Sequence, residues 1–181
     1  MLTDDERAAL LQVARRAALE ALGLPVPASQ PEITDRLRLP GAAFVTWKRD
    51  GRLRGCIGSV QAYRPLVDDV EAHALDALQK DPRFPPARAN EFPRYRLEIS
   101  VLGPLERVSH PLAEVEVGRD GLYVKKGGRA GILLPQVPVE WGWDVPSFLS
   151  QACLKAGLPA DAWADPAHPA EVYRFAAEVF D

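Results

Sequence analysis

The chain has little sulfur, few imidazoles, no long apolar run and no excess of positive charge. Cys56 and Cys153 are its only cysteines, with one methionine and three histidines among 181 residues. Two cysteines so far apart exclude the dense disulfide framework of a small secreted scaffold, and both are expected as reduced thiols. No short Cys or His spacing is present, which excludes a zinc or iron-sulfur pattern; any metal would need scattered carboxylates. No stretch approaches the ~20 apolar residues of a membrane-spanning helix. Residues 1–22 begin acidic and read as an amphipathic helix rather than a secretory leader, so a cytoplasmic location with no membrane partner is expected.

What is present is enough apolar material for a core. Hydrophobic residues make up 47% and charged residues 26% of the chain, which fits one domain over residues 1–181. The net charge of -3 argues against nonspecific coating of nucleic acid. The charge is nevertheless uneven: residues 41–136 carry 15 Lys and Arg against 12 Asp and Glu, and the flanks carry 7 against 13. The basic excess falls in three groups, Lys48/Arg49/Arg52/Arg54, Arg83/Arg88/Arg94/Arg96 and Arg119/Lys125/Lys126/Arg129. Converging, they would make an anion-attracting wall; dispersed, they would be solvated surface charge.

Local patterns place the elements. Thr3-Asp4-Asp5-Glu6 has the form of a capping box, followed by a helix to about Leu22 that Gly23 ends. Residues 43–49 and 52–57 read as strands joined at Asp50-Gly51. Residues 65–80 read as a helix, stopped by Asp81-Pro82-Arg83-Phe84-Pro85-Pro86, where the prolines favour a rigid extended loop. Tyr95, Leu97, Ile99 and Val101 alternate with Arg96, Glu98 and Ser100, as in a strand with one buried face. Residues 112–117 and 121–126 suggest a second hairpin about Asp120-Gly121. A helix follows over 145–156, capped by Asp144, and a final strand spans 171–180. Arg-Asp-Gly recurs at 49–51 and 119–121, hinting at two related halves.

The segment that concentrates chemistry is Leu53-Arg54-Gly55-Cys56-Ile57-Gly58. Glycines beside a cysteine let a backbone or a ligand approach closely, and strand alternation puts Arg54 on the same face as Cys56, where it would lower the thiol pKa. Cys56 is the candidate nucleophile and Glu98 the candidate base, with Arg54, Gly55, Gly58, Ser100, Lys126, Arg129 and Gln136 as candidate ligand-binding residues for a small anion. None of His73, His110 and His168 is placed beside Cys56 by sequence. The alternatives are a buried, close-packed Cys56 and a solvent-facing Glu98/Ser100 side. Cys153, on the apolar face of its helix, reads as core.

Two further readings belong to other classes. An adaptor would use Trp141, Trp143 and the proline-rich loops to bind protein partners. Nucleic-acid recognition, the third choice because the chain is acidic, would need Trp47, Tyr63 and Phe84 as stacking surfaces.

The order of Leu53 to Gly58, Asp81 to Pro86, Glu98-Ile99-Ser100-Val101-Leu102, Gly127-Gly128-Arg129, Leu134-Pro135-Gln136-Val137 and Tyr173-Arg174-Phe175 resembles the AMMECR-type domain family. Residues 140–144 and 153–159 look like its bacterial branch, AmmeMemoRadiSam system protein A. The resemblance covers nearly the whole chain. It implies an α+β domain of antiparallel sheet with flanking helices, with a smaller second lobe and internal duplication. It also implies genomic association with a Memo-type protein and a radical S-adenosylmethionine protein, but no settled reaction and no named cofactor. Many members have His-Gly where this chain has Asp120-Gly121.

Overall fold

Thr3 and Glu6 form the expected capping box, each side chain accepting from the other's backbone N–H, and this starts α1 (Asp4–Ala21). The computed structural model describes Met1–Asp181, and these residues divide into two units, Met1–Leu102 with Glu178–Asp181, and Gly103–Ala177. The result is an α+β fold with antiparallel sheets in both units.

In the first unit, β1 (Pro40–Arg49) is followed by β2 (Arg52–Gly58), the two-residue β3 (Arg64–Pro65), α2 (Leu66–Gln79) and β4 (Tyr95–Leu102). Asp50 and Gly51 both take positive φ, 52° and 76°, which makes the tight turn whose twist suits a hairpin. β1 is central between β2 and β4, β3 pairs with its start, and β2 is an edge strand. Leu10, Ala14 and Ala18 of α1 and Val70, Ala74 and Ala77 of α2 meet Val45, Trp47, Leu97 and Ile99 on one face of the sheet. Small helical residues allow that close approach, and the larger sheet side chains fill the space between.

The polar centre of this unit is Asp69, fully buried on α2. Its carboxylate accepts from Ala43 N–H (2.9 Å), Ser59 Oγ (2.8 Å) and Arg64 Nε (2.9 Å), so it ties β1, the end of β2 and β3 to the helix. Burial pushes its pKa up, but hydrogen bonds from His73, Ser59, Ala43 and Arg64 outweigh burial and hold it below the usual carboxylate range.

The second unit contains β5 (Glu106–Val108), α3 (Pro111–Glu114), β6 (Gly121–Lys126), β7 (Arg129–Leu133), α4 (Gln136–Trp141), α5 (Val145–Lys155) and β8 (Glu171–Phe175). Its sheet runs β5-β8-β6-β7. Phe148, Leu149, Ala152 and Cys153 of α5 pack on Leu122, Val124 and Val172, so Cys153 is a core residue. Asp144 caps α5 through Ser147 N–H, and Gly157 ends it with φ 71°. The chain then returns to the first unit as β9 (Ala177–Phe180), beside β4.

Three sequence expectations fail in or beside the second unit. Residues 112–117 are a short helix and turn, because Pro111 starts a helical turn and Asp120 accepts the Glu116 N–H across it. The hairpin turn is therefore Gly127-Gly128, between β6 and β7, while Gly121 lies inside β6 under the Phe175 ring. The Arg-Asp-Gly pair consequently marks a hairpin turn at one site and a buried cap at the other. The final strand is two strands in different sheets, broken at Ala176, whose carbonyl accepts from Gly103 N–H (2.8 Å). Its buried residues, Val172 and Phe175, are three apart rather than alternating.

Candidate functional site

The hexapeptide strand presents its residues in two directions, and a register irregularity is the cause. Along β2, Cys56 stands opposite Thr46 and Gly55 opposite Trp47, but Leu53 stands opposite Lys48, leaving Arg54 as the extra residue of a bulge. Simple alternation had placed Arg54 beside Cys56; the bulge turns it toward Phe84, Pro85, Glu91 and Tyr95 instead.

The two glycines of the segment serve packing. A Cβ on Gly55 would overlap the Ala77 carbonyl oxygen, so Gly55 lets the end of α2 lie on the strand. A Cβ on Gly58 would enter the Phe44 ring and meet the Ala43 carbonyl.

Cys56 lies on the sheet face opposite the α1/α2 core. Cys56, Thr46 and Glu98 form one row across β2, β1 and β4, and Gly58, Phe44 and Ser100 form the next row but one along the strands. Thr46 Oγ1 donates to Cys56 Sγ at 3.2 Å, and Lys48 Nζ donates to Glu98 Oε2 at 2.7 Å. With β1 between them, the backbones of Cys56 and Glu98 are roughly 10 Å apart by strand spacing. Glu98 is half-buried and Ser100 is 1% exposed with its Oγ unpartnered, so this face is not a freely solvated one. Burial pushes the Cys56 thiol pKa up, against the opposing pull of the Thr46 hydrogen bond and the Arg83 charge. The cation that bears on this thiol is Arg83.

Arg83 acts with Asp81 as a side-chain substitute for a neighbouring strand. Asp81 Oδ2 accepts the Cys56 N–H at 2.9 Å, and Arg83 Nη2 donates to the Cys56 carbonyl at 3.3 Å. The two also bind one another, with Arg83 Nε on Asp81 Oδ1 (2.9 Å) and Nη2 on Oδ2 (2.7 Å). Those guanidinium bonds hold the nearly buried Asp81 carboxyl far below its ordinary pKa. The free edge of β2 is thus closed at Cys56 by the loop that the prolines stiffen. Sequence reasoning missed this pair as part of the site; an Asp and an Arg two apart in a proline-fixed turn are its only trace in the chain.

On the other side of β2, Arg49, Arg52, Arg54, Phe84 and Glu91 line a cavity of about 500 Å³. Arg54 is only 7% exposed and its guanidinium carbon lies 5.8 Å from the ring centres of both Phe84 and Tyr95. Arg83 covers Phe84 at 5.5 Å, so two cations accompany that ring. Arg54 Nη2 donates to the Pro85 carbonyl at 2.6 Å and stands 3.9 Å from Glu91 Oε2. Glu91 is held more closely by Arg49, and Asp50 by Arg94. Arg49, Arg52 and Arg54 of the first basic group line this cavity, and Arg83 and Arg94 of the second reach its lining residues Phe84 and Asp50, while Lys48 pairs with Glu98 instead.

The remaining candidates lie in the second unit and have local roles. Lys126 pairs with Asp165 at 3.0 Å, Arg129 Nη1 donates to the Gly157 carbonyl at 2.8 Å, and Gln136 opens α4 with a buried, unpartnered Oε1. Trp47 is 1% exposed and donates its Nε1 to the Ala74 carbonyl, so it is a core residue and offers no stacking surface. Tyr63 is exposed with Arg64 over its ring. His73 is buried beside Asp69 and Arg64 rather than paired with the thiol. No helix is long and apolar enough to cross a membrane.

The geometry defines a class: an α+β protein with an edge strand closed by an Asp/Arg pair, a half-buried thiol on one side and a basic cavity on the other. The chain belongs to the AMMECR1 family, whose model matches residues 11–180. Protein MK0488 of Methanopyrus kandleri is 43% identical over 188 residues, covering 99% of this chain and 90% of that protein. A protein of Aeropyrum pernix is 47% identical over 191 residues, with 99% and 80% covered. The crystal structure of the uncharacterised protein PH0010 from Pyrococcus horikoshii superposes with a TM-score of 0.85 at 37% identity, covering 99% of this chain and 92% of that one.

Proposed function

We propose that this AMMECR1-family protein binds a small anionic ligand at its Leu53–Gly58 segment, with Arg54 as the anchoring cation, and serves as component A of an AmmeMemoRadiSam-type system beside a Memo-type and a radical S-adenosylmethionine protein. The observation that carries the binding reading is the buried Arg54 guanidinium lining a cavity of about 500 Å³, with both of its close protein oxygens on Nη2. Burying an arginine costs several kcal/mol unless its donors are met, and a ligand oxyanion meets them. The volume suits a metabolite, within the ~300–1,000 Å³ of ordinary ligand pockets. Cys56, shielded by burial, supports a positional role more than a nucleophilic one.

The test is a titration of the protein with citrate and inorganic phosphate, followed through the Arg54 side-chain NMR signals. Saturable shifts of the Arg54 signals, with calorimetric binding lost in Arg54→Gln, support the reading; unaltered Arg54 signals at millimolar anion overturn it. A second reading, an adaptor that binds protein partners, is favoured by one observation. Trp141 is 70% exposed and stacked on Trp143 at 6.1 Å, an apolar surface that water does not favour. Co-purification with the Memo-type or radical protein that is lost in Trp141→Ala and kept in Cys56→Ala would establish it.

A further inference from the structure

We infer that the anion taken by the cavity is a phosphate monoester, held jointly by Arg52 and Arg54; this deepens the proposed anion site and rests on it. The charges around the cavity do not balance. Arg49, Arg52 and Arg54 line it with Asp50 and Glu91, and Arg94 reaches Asp50 from beside it. Glu91 closes on Arg49 and Asp50 on Arg94, so both carboxylates are matched. Arg54 keeps only its 3.9 Å approach to Glu91, and exposed Arg52 has no ion pair. Two guanidiniums therefore remain uncompensated on one bulged strand, and a single group of charge near −2 balances them.

Donor geometry narrows the ligand further. The Pro85 carbonyl and the long Glu91 contact both fall on Arg54 Nη2, which leaves the Nε and Nη1 donors, on different edges of the guanidinium, without a protein acceptor. The free Nη1 donates to one oxygen of a phosphate, and the unpaired fork of exposed Arg52 grips two others. An aromatic group on the ligand gains little from Phe84, because Arg54 and Arg83 already lie against that ring. The specificity resides in the phosphoryl group, and the organic part faces the open side near Leu53, which is 42% exposed.

The experiment titrates the full chain with methyl phosphate, succinate and acetate at fixed ionic strength, by calorimetry and by the arginine side-chain NMR signals. Three variants are compared: Arg54→Gln, Arg52→Gln, and Arg15→Gln as a control for net charge on exposed α1. Methyl phosphate is expected to bind at least tenfold more tightly than acetate. Arg52→Gln and Arg54→Gln should each weaken it tenfold or more, with Arg15→Gln within twofold of the parent. Arg52 is exposed, so its variant reports even if Arg54→Gln fails to fold. Succinate binding more tightly than methyl phosphate, or acetate binding equally with Arg52→Gln silent, overturns the phosphate assignment and leaves the anion site standing. No binding of any probe overturns both.

Discussion

Replacing Asp81 with alanine tests whether the hexapeptide strand is held by a side-chain clamp. The substitution strips the Cys56 N–H of its acceptor and Arg83 of its partner. An unpaired, partly buried backbone donor costs about 1–3 kcal/mol. Arg83 is half-exposed, so its lost ion pair is screened and adds about 0–1 kcal/mol. The sum is a loss of about 1–4 kcal/mol, which for a chain of this length lowers the melting temperature by about 2–16 °C. Urea unfolding at pH 7 measures the first quantity, and amide exchange at Cys56, expected to accelerate, localises it. The effect also has a pH sign. Because Arg83 depresses the folded carboxyl, the stability it supplies is present above the unfolded value of about 4 and is lost as pH falls through the lower folded value. The gap between parent and Asp81→Ala should therefore narrow from pH 7 to pH 3. An unchanged urea midpoint, or a gap that widens on acidification, would refute the clamp.

Other outcomes follow from the same contacts. Gly55→Ala drives a methyl into the Ala77 carbonyl and should cost about 1–3 kcal/mol in urea unfolding; a neutral result would mean that α2 does not rest on the strand. Cys56 should alkylate more slowly at pH 7 than a free cysteine peptide, with the rate still rising at pH 9, and a plateau reached by pH 7 would contradict the shielding. Asp69→Ala leaves the Ala43 N–H and Arg64 without their acceptor at a fully buried site, for an expected loss of about 3–5 kcal/mol in thermal or urea unfolding; less than 1 kcal/mol would show that the hub is dispensable.

Much of the fold is written in local pattern. The capping box of α1, the Asp50-Gly51 turn, the alternation in β4 and the Asp144 cap of α5 are each decided by groups a few residues apart, so the chain specifies them before it folds. The region around Asp120 misled because Asp-Gly is a hairpin signal only where both residues are free to turn. Here Asp120 is consumed by the Glu116 amide and Arg119. The break at Ala176 was hidden for a different reason, since a change of sheet leaves no mark in a run of strand-forming residues.

The candidate site shows the same division. Sequence by itself determined that Leu53 to Gly58 is a strand carrying one thiol and one arginine, and that the prolines after Asp81 form a stiff connection. Tertiary structure alone decided that the bulge sends Arg54 into a basic cavity, that Cys56 joins Thr46 on the other side, and that Asp81 and Arg83 close the edge. Strand and turn preferences act over neighbouring residues. The direction of a bulged side chain depends on Lys48, Phe84, Glu91 and Tyr95, which only pairing and packing bring to it.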